Sequence, residues 1–447
     1  MRRLGVGRRL RRSTGAAVTT GLIASICLAL APSAQAALGL QSLSAKPANL
    51  AAGANSDFDI HIGFSDPADQ VKDLTVHLPP GLVGNPTATP LCTVSQLNAD
   101  SCPANTQVGS VTANVNVIVA GPVSVPLTVN GSLYNLTPQP GEPARFGIVL
   151  RPLGGLIGGT KIIQQSAVQL RRSDFGLDTI VNNFPQTASG LETDITSLDL
   201  SLVGTANGHG FIRNPTSCTP KTVTFDATSY GGHSAHGSAP SFTPTNCDAL
   251  PFHPVATVKL GEKGATRAGS NTPLTAVIQQ EPTEAGLADA QLLLPSTLSP
   301  NSALLTNTCS LLQFQVNAAK CPAKSIVGSG TATSSFLPSA LGGPVVLVRP
   351  GPGDFLPRLG VQLNGPLSLH ILGSFVIESA GLGNEFAKLP DIPIARFALH
   401  FHAGKNGLVG TSQNLCTSPA PKFRTSFEGF NGAHQQGPVT AQIVGCG

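Results

Sequence analysis

Gly232-His233-Ser234-Ala235-His236-Gly237 is the stretch of this chain whose residue types come nearest to reactive chemistry. A serine between two histidines approaches the G-x-S-x-G nucleophile elbow, where a neighbouring base takes the serine proton. The second glycine stands one place late, and the elbow needs a strand before it and a helix after it. Ser238-Ala239-Pro240-Ser241 and then Cys247 follow instead. A glycine-rich turn inside a cysteine loop explains the string better. A secreted hydrolase using Ser234 with His233 or His236 is the least favoured functional reading, and the chain is expected not to be an enzyme.

Other chemistry is weaker still. His400 and His402 lie one residue apart on one strand face and could hold a metal with a third ligand. The first half offers Asp199 and Ser201 at the corresponding places, so outer-face polar residues are the simpler account. Asp57, Asp59, Asp66 and Asp69 could bind calcium, but the EF-hand spacing is absent and the first two alternate with apolar residues. No metal and no cofactor is expected. A glycosidase or a stacking carbohydrate module wants aromatic platforms, and here there is no Trp and the only tyrosines are Tyr134 and Tyr230. Asn130-Gly131-Ser132 and Asn135-Leu136-Thr137 fit the glycosylation sequon, a triplet common by chance.

The elements that carry these residues are organised by the cysteines. Cys92 is followed by Cys102-Pro103-Ala104 and then Val108-Gly109-Ser110; Cys309 is followed by Cys321-Pro322-Ala323 and then Val327-Gly328-Ser329. The chain therefore reads as a duplication. After Cys27, eight cysteines remain, with a short and then a long spacing in each half. If the halves fold alike, the disulfides are Cys92–Cys102, Cys218–Cys247, Cys309–Cys321 and Cys416–Cys446. The alternative, a metal site, lacks any C-x-x-C or C-x-x-H.

The start of the chain has the three parts of a secretory signal: six arginines within the first twelve residues, an apolar run from Ala16 to Leu30, and Ala34-Gln35-Ala36. Cleavage is expected after Ala36. No later stretch reaches the roughly 18 apolar residues of a spanning helix. The net charge of +4 leaves with the arginines, so no basic face for nucleic acid is implied.

The chain of 447 residues is 11% charged, 41% hydrophobic, and holds 49 Gly and 37 Pro. Helices are hard to place in it, whereas short apolar alternations such as Phe58-Ile60-Ile62-Phe64, Val111-Ala113-Val115-Val117 and Phe146-Ile148-Leu150 read as half-buried strands. Residues 171–185 read as a loop. The expected fold is all-β: two tandem homologous β-sandwich-like units, disulfide-stapled, each long enough to divide near Pro140 and Pro350. The boundaries are 1–36 for the signal, 37–248 for the first unit, 249–254 for a linker and 255–447 for the second.

Val76 to Leu82, Cys92, Cys102-Pro103, Gly109-Ser110, Cys218 and Cys247, with the second copy from Cys309 to Cys446, make the chain resemble a family of exported, cysteine-paired repeat β-proteins of GC-rich actinobacteria. The resemblance implies location and architecture and brings no activity and no catalytic residue. The reading that follows is a secreted or cell-surface protein with a structural or interaction role. Its partner would be a cell-envelope component or another protein, and binding of a glycan or protein through loops is the alternative.

Overall fold

The first half builds eleven strands along one sheet. They are β1 (Gly39–Pro47), β2 (Phe58–Ser65), β3 (Val71–Leu78), β4 (Gln107–Ala120), β5 (Val123–Leu136), β6 (Arg145–Arg151), β7 (Ile162–Leu170), β8 (Leu177–Val181), β9 (Leu191–Leu202), β10 (Thr224–Ser229) and β11 (Ser234–Ser238). The second half builds β12 (Val255–Leu260), β13 (Leu274–Gln279), β14 (Leu287–Leu293), β15 (Ile326–Thr333), β16 (Leu341–Val348), β17 (Arg358–Asn364), β18 (Ser368–Glu378), β19 (Gly381–Phe386), β20 (Arg396–Phe401), β21 (Lys422–Gly429) and β22 (His434–Thr440). This computed structural model describes residues 37–152, 161–379 and 381–446. The export signal expected over 1–36 lies outside the described residues.

Pairing in the first sheet runs β1-β2-β9-β4-β5-β6-β7-β8-β3-β10-β11, and in the second β12-β13-β20-β15-β16-β17-β18-β19-β14-β21-β22. The two orders match position for position. Thr187–Ala188 beside β9 and Gln442–Ile443 beside β12 make each sheet twelve-stranded. Each sheet curls until its two ends come close. Leu40 and Leu43 of β1 lie over Gly237 of β11. The opposing walls of each half thus belong to one nearly closed sheet. Pro140 falls between β5 and β6 and Pro350 between β16 and β17, pairs of strands that are hydrogen-bonded neighbours, so the sheets pass through both places unbroken.

Four disulfides join Cys92 to Cys102, Cys218 to Cys247, Cys309 to Cys321 and Cys416 to Cys446. Two of them bracket short helices on the outer wall. Helix α1 (Val94–Asn98) starts with a capping box between Thr93 and Gln96, an arrangement that satisfies two otherwise orphaned N–H groups. Its Leu97 is fully buried with Tyr134, Leu136 and Val149. Helix α2 (Leu311–Asn317) is capped by Ser310 and buries Phe314 in the same way. Gly147 and Gly360 make room for those two side chains; a Cβ at either would press on Leu97 or Phe314.

Three stretches differ from the sequence reading. Residues 171–185, read as a loop, contain β8, whose Leu177, Thr179 and Val181 face inward; five residues between turn signals are too few to show a period. The glycine-rich string at 232–237 is a hairpin rather than a turn alone, since Ser234–Ser238 pairs with β10. Strand β1 escaped notice because a register shift between Gln41 and Ser44, with Ser42 at φ 52°, breaks its alternation.

The main cores lie inside the two sheets, centred on Phe58, Ile62, Phe64 and Phe225 in one and Leu260, Val345, Val361 and Phe423 in the other. The described residues from 37 to 446 form one compact unit. Where the halves meet, Thr216 holds the fully buried Asp391, and Arg213 donates to the backbone oxygen of Glu284 at 2.7 Å. Among the described residues no helix is long and apolar enough to cross a membrane.

Candidate functional site

The first sheet encloses a cavity of about 580 Å³. Its walls are the inward alternate residues of the strands: Val111, Ala113, Val115 and Val117 of β4, Leu127, Val129 and Leu133 of β5, Ile148 and Leu150 of β6, and Val168 and Leu170 of β7. Val149, between Ile148 and Leu150, points outward against α1, so one period-2 pattern builds both the lumen wall and the staple beneath the helix. The lumen follows from strand number. About eight strands give a barrel that side chains just fill, and more strands leave space. The second sheet has a space of only about 110 Å³, lined by Phe375, Phe386, Phe397, Phe401 and Phe427.

One end of the first lumen is closed. Asn135 at that end donates to the oxygen of Pro86 at 2.8 Å, and Thr87 in the same loop donates to the oxygen of Ser335 at 3.0 Å. Phe336, Leu337, Pro390 and Ile392 of the second half join Val83, Phe211 and Ile212 in the lining. The other end is rimmed by Val119, Val125 and Leu191, all exposed.

Among the described residues no charged side chain lines the cavity. Its polar groups are few, and two matter. Ser166 is 2% exposed, and among the described residues its Oγ has no partner; Oδ1 of the fully buried Asn135 has none either. The register places them at one level. Asn135 pairs with Phe146, which pairs with Ser166, so the two stand two strand spacings apart, about 10 Å. An unsatisfied buried polar atom costs about 1–3 kcal/mol. Both residues belong to the lining of the apolar lumen.

The residues singled out by sequence lie elsewhere. His233 Nδ1 is 2.7 Å from Asp69 Oδ2, and His236 Nδ1 is 2.6 Å from Asp226 Oδ1. Each histidine is thus engaged by an aspartate on the outer wall, and Ser234 opens a strand rather than a helix. His400 and His402 stack edge to face at 6.3 Å, and His400 Nδ1 is 2.9 Å from Thr275 Oγ1. Asp57 accepts from the N–H of Gly204 at 2.7 Å, and Asp69 from the N–H of Leu38 at 2.9 Å. Those aspartates pin loops. Among the described residues no group of three or more His, Cys, Asp or Glu is arranged to hold a metal ion. Asn135, read as a sequon, is buried in the lumen wall; Asn130 is exposed and accepts from Thr112 Oγ1 at 3.0 Å.

On the outer wall of the first sheet, charged side chains form a ladder. His77 sits between Asp178 at 2.7 Å and Asp226 at 3.0 Å, with Arg171 beyond Asp178 and His236 beyond Asp226. Burial works against the charged imidazole, but the two carboxylates outweigh it and raise the His77 pKa. On the second sheet, burial and then the nearby Glu385 and Glu428 push Asp289 up to about 6.

Sequence reasoning missed the lumen. The available signal was the run from Ser101 to Gly141, which carries no charged residue on either strand face.

No family model matches the chain, and no curated protein matches it. Among solved structures, a protein described as membrane anchored from Corynebacterium diphtheriae aligns over 91% of this chain and 93% of its own, at 9% identity and a TM-score of 0.19. The dimeric latent PorU of Porphyromonas gingivalis aligns over 92% of this chain and 34% of its own, at 8% identity and a TM-score of 0.13. Neither likeness carries fold or function over to this chain. Its own disulfides and all-β build fit a protein of the cell surface or exterior.

Proposed function

We propose that this is an exported two-unit β-protein, secreted or held at the cell surface, that carries a neutral amphiphile in the lumen of its first sheet. The matching strand orders support a duplication in which one copy kept its interior open and the other filled it with phenylalanine. The observation that carries the reading is the charge-free lumen of about 580 Å³, a size within the roughly 300–1,000 Å³ of small-molecule sites.

The chemistry narrows the ligand. Apolar walls favour a long hydrocarbon, since burying each CH₂ contributes about 0.8 kcal/mol. An ionised headgroup inside would meet no counter-charge and would be strongly disfavoured. Asn135 Oδ1 needs a donor and Ser166 Oγ can donate or accept, so the polar end is a hydroxyl, ester or amide. A monoacylglycerol meets all three demands.

Fluorescence of N-phenylnaphthylamine, a neutral apolar probe, tests this. The probe should brighten on binding and be displaced by a monoacylglycerol. Ala113→Trp and Val168→Trp, which fill the lumen, should each weaken probe binding by about tenfold, the cost of losing about 1.4 kcal/mol. Equal binding by wild type and both variants would rule the lumen out.

A further inference from the structure

We infer that the β4–β5 hairpin tip is a docking element for a lipid surface, through which the lumen is loaded. The inference rests on the lumen reading but has its own observations. Strands β4 and β5 are each 14 residues long and, among the described residues, pair with each other beyond their last rungs to β9 and β6. Pairing of β4 with β9 ends at Val117, and pairing of β5 with β6 ends at Asn130. The three further residues of β4, Ile118 to Ala120, extend about 10 Å past that last rung at roughly 3.3 Å per residue. That matches the depth of about 5–10 Å to which interfacial elements enter the boundary between headgroups and acyl chains.

The tip is apolar and exposed. Val119, Val123 and Val125 are 49%, 56% and 51% exposed, and Val119 and Val125 also line the mouth of the lumen. A ligand leaving the surface along those side chains would stay in apolar contact until it reached the wall. Two features favour a lipid surface over a protein strand. Pro126 removes one N–H from the hairpin, a device by which edge strands avoid recruiting another strand. The hairpin itself carries no charge, the whole run from Ser101 to Gly141 being uncharged.

Flotation with vesicles of phosphatidylcholine tests the inference, using the chain from Ala37 onward. Wild type should float with these neutral vesicles, equally at low and high salt. Val119→Asp with Val125→Asp should lower the floated fraction by about tenfold or more, given the cost of a charge in the bilayer, and Val123→Asp alone should lower it in part. Val255→Asp, at a side chain 56% exposed on the second half, should change nothing. Val123→Asp and Val255→Asp, which lie outside the lumen lining, should still bind the neutral probe from free solution. Failure of wild type to float, dependence on anionic lipid, or equal flotation by the tip variants would overturn the inference. Self-association in solution abolished by the tip substitutions, without flotation, would assign the tip to a second copy of the chain and overturn it equally. Loss of probe binding by wild type would remove the lumen reading while flotation still decided the docking.

Discussion

Thr216 donates its hydroxyl to Asp391 Oδ1 at 2.6 Å and its backbone N–H to Oδ2 at 2.8 Å, tying the first half of the chain to the second. The same hydroxyl accepts from the N–H of Gly286 at 3.0 Å. Gly81 and Gly286 leave the space the carboxylate occupies, since a Cβ at either would collide with it. Thr216→Val keeps the shape and removes the hydroxyl, leaving a buried carboxylate oxygen short of a donor. The expected loss of stability is about 1–3 kcal/mol, read from urea denaturation. Thr216→Ser should recover most of it, and a Thr216→Val protein as stable as wild type would show that the junction does not depend on this bond.

Gly147 touches the helix held by the Cys92–Cys102 staple. A Cβ there would overlap Leu97, a side chain fully buried and closed in by Val149 and Leu136. Gly147→Ala should therefore destabilise by about 1–3 kcal/mol through overpacking. Adding Leu97→Ala should cost less in that background than in wild type, a non-additivity that denaturation of the four proteins would measure. Strict additivity would separate the glycine from the helix.

His77 is held charged by Asp178 and Asp226 against the cost of burial, so its pKa is raised from the ordinary value of about 6.5. A raised folded-state pKa means that the folded state binds the proton more tightly than the unfolded state. The stabilising contribution is complete below the unfolded value and is lost as pH rises through the folded one. NMR titration should place His77 above 6.5, and Asp178→Asn should bring it down. An unshifted titration in wild type would contradict the ladder.

Asp289 shifts in the same direction as His77 but for the opposite reason, its charged form being disfavoured rather than favoured. Burial, with Glu385 and Glu428 nearby, raises its carboxyl to about 6. Stability should fall as pH rises from the unfolded value of about 3.9 to about 6 and then level off. Asp289→Asn should remove that slope and unfold at higher urea than wild type at neutral pH. A lower midpoint at neutral pH would show that the carboxylate is stabilising.

The alternation of residues such as Ile148, Val149 and Leu150 made the strands legible, and cysteine spacing made the staples legible. The lumen was hidden for a physical reason. A period of two says which side of a strand is buried, not whether the wall opposite touches it. That depends on how many strands close the sheet, hence on pairings between distant residues such as Leu198 with Ile62 and Phe225 with Val76. Asn135 shows the same limit: its sequon is a local pattern, while its burial at the lumen's closed end depends on Pro86 and Thr89 from another loop. Five-residue β8 was lost among turn residues because tertiary pairing, not local propensity, makes it a strand.

Strand β3 sits between β8 and β10, so its two partners are made long after it. The contacts from His77 reach across 101 residues to Asp178 and 149 residues to Asp226. During folding, one edge of β3 therefore waits unpaired across about 100 residues and the other across about 150. Such distant closure slows folding, and open strand edges invite wrong partners. The same wait recurs at β14, between β19 and β21. Two early strands, one in each half, thus set the pace of assembly, and they are where a folding helper would have the most to protect.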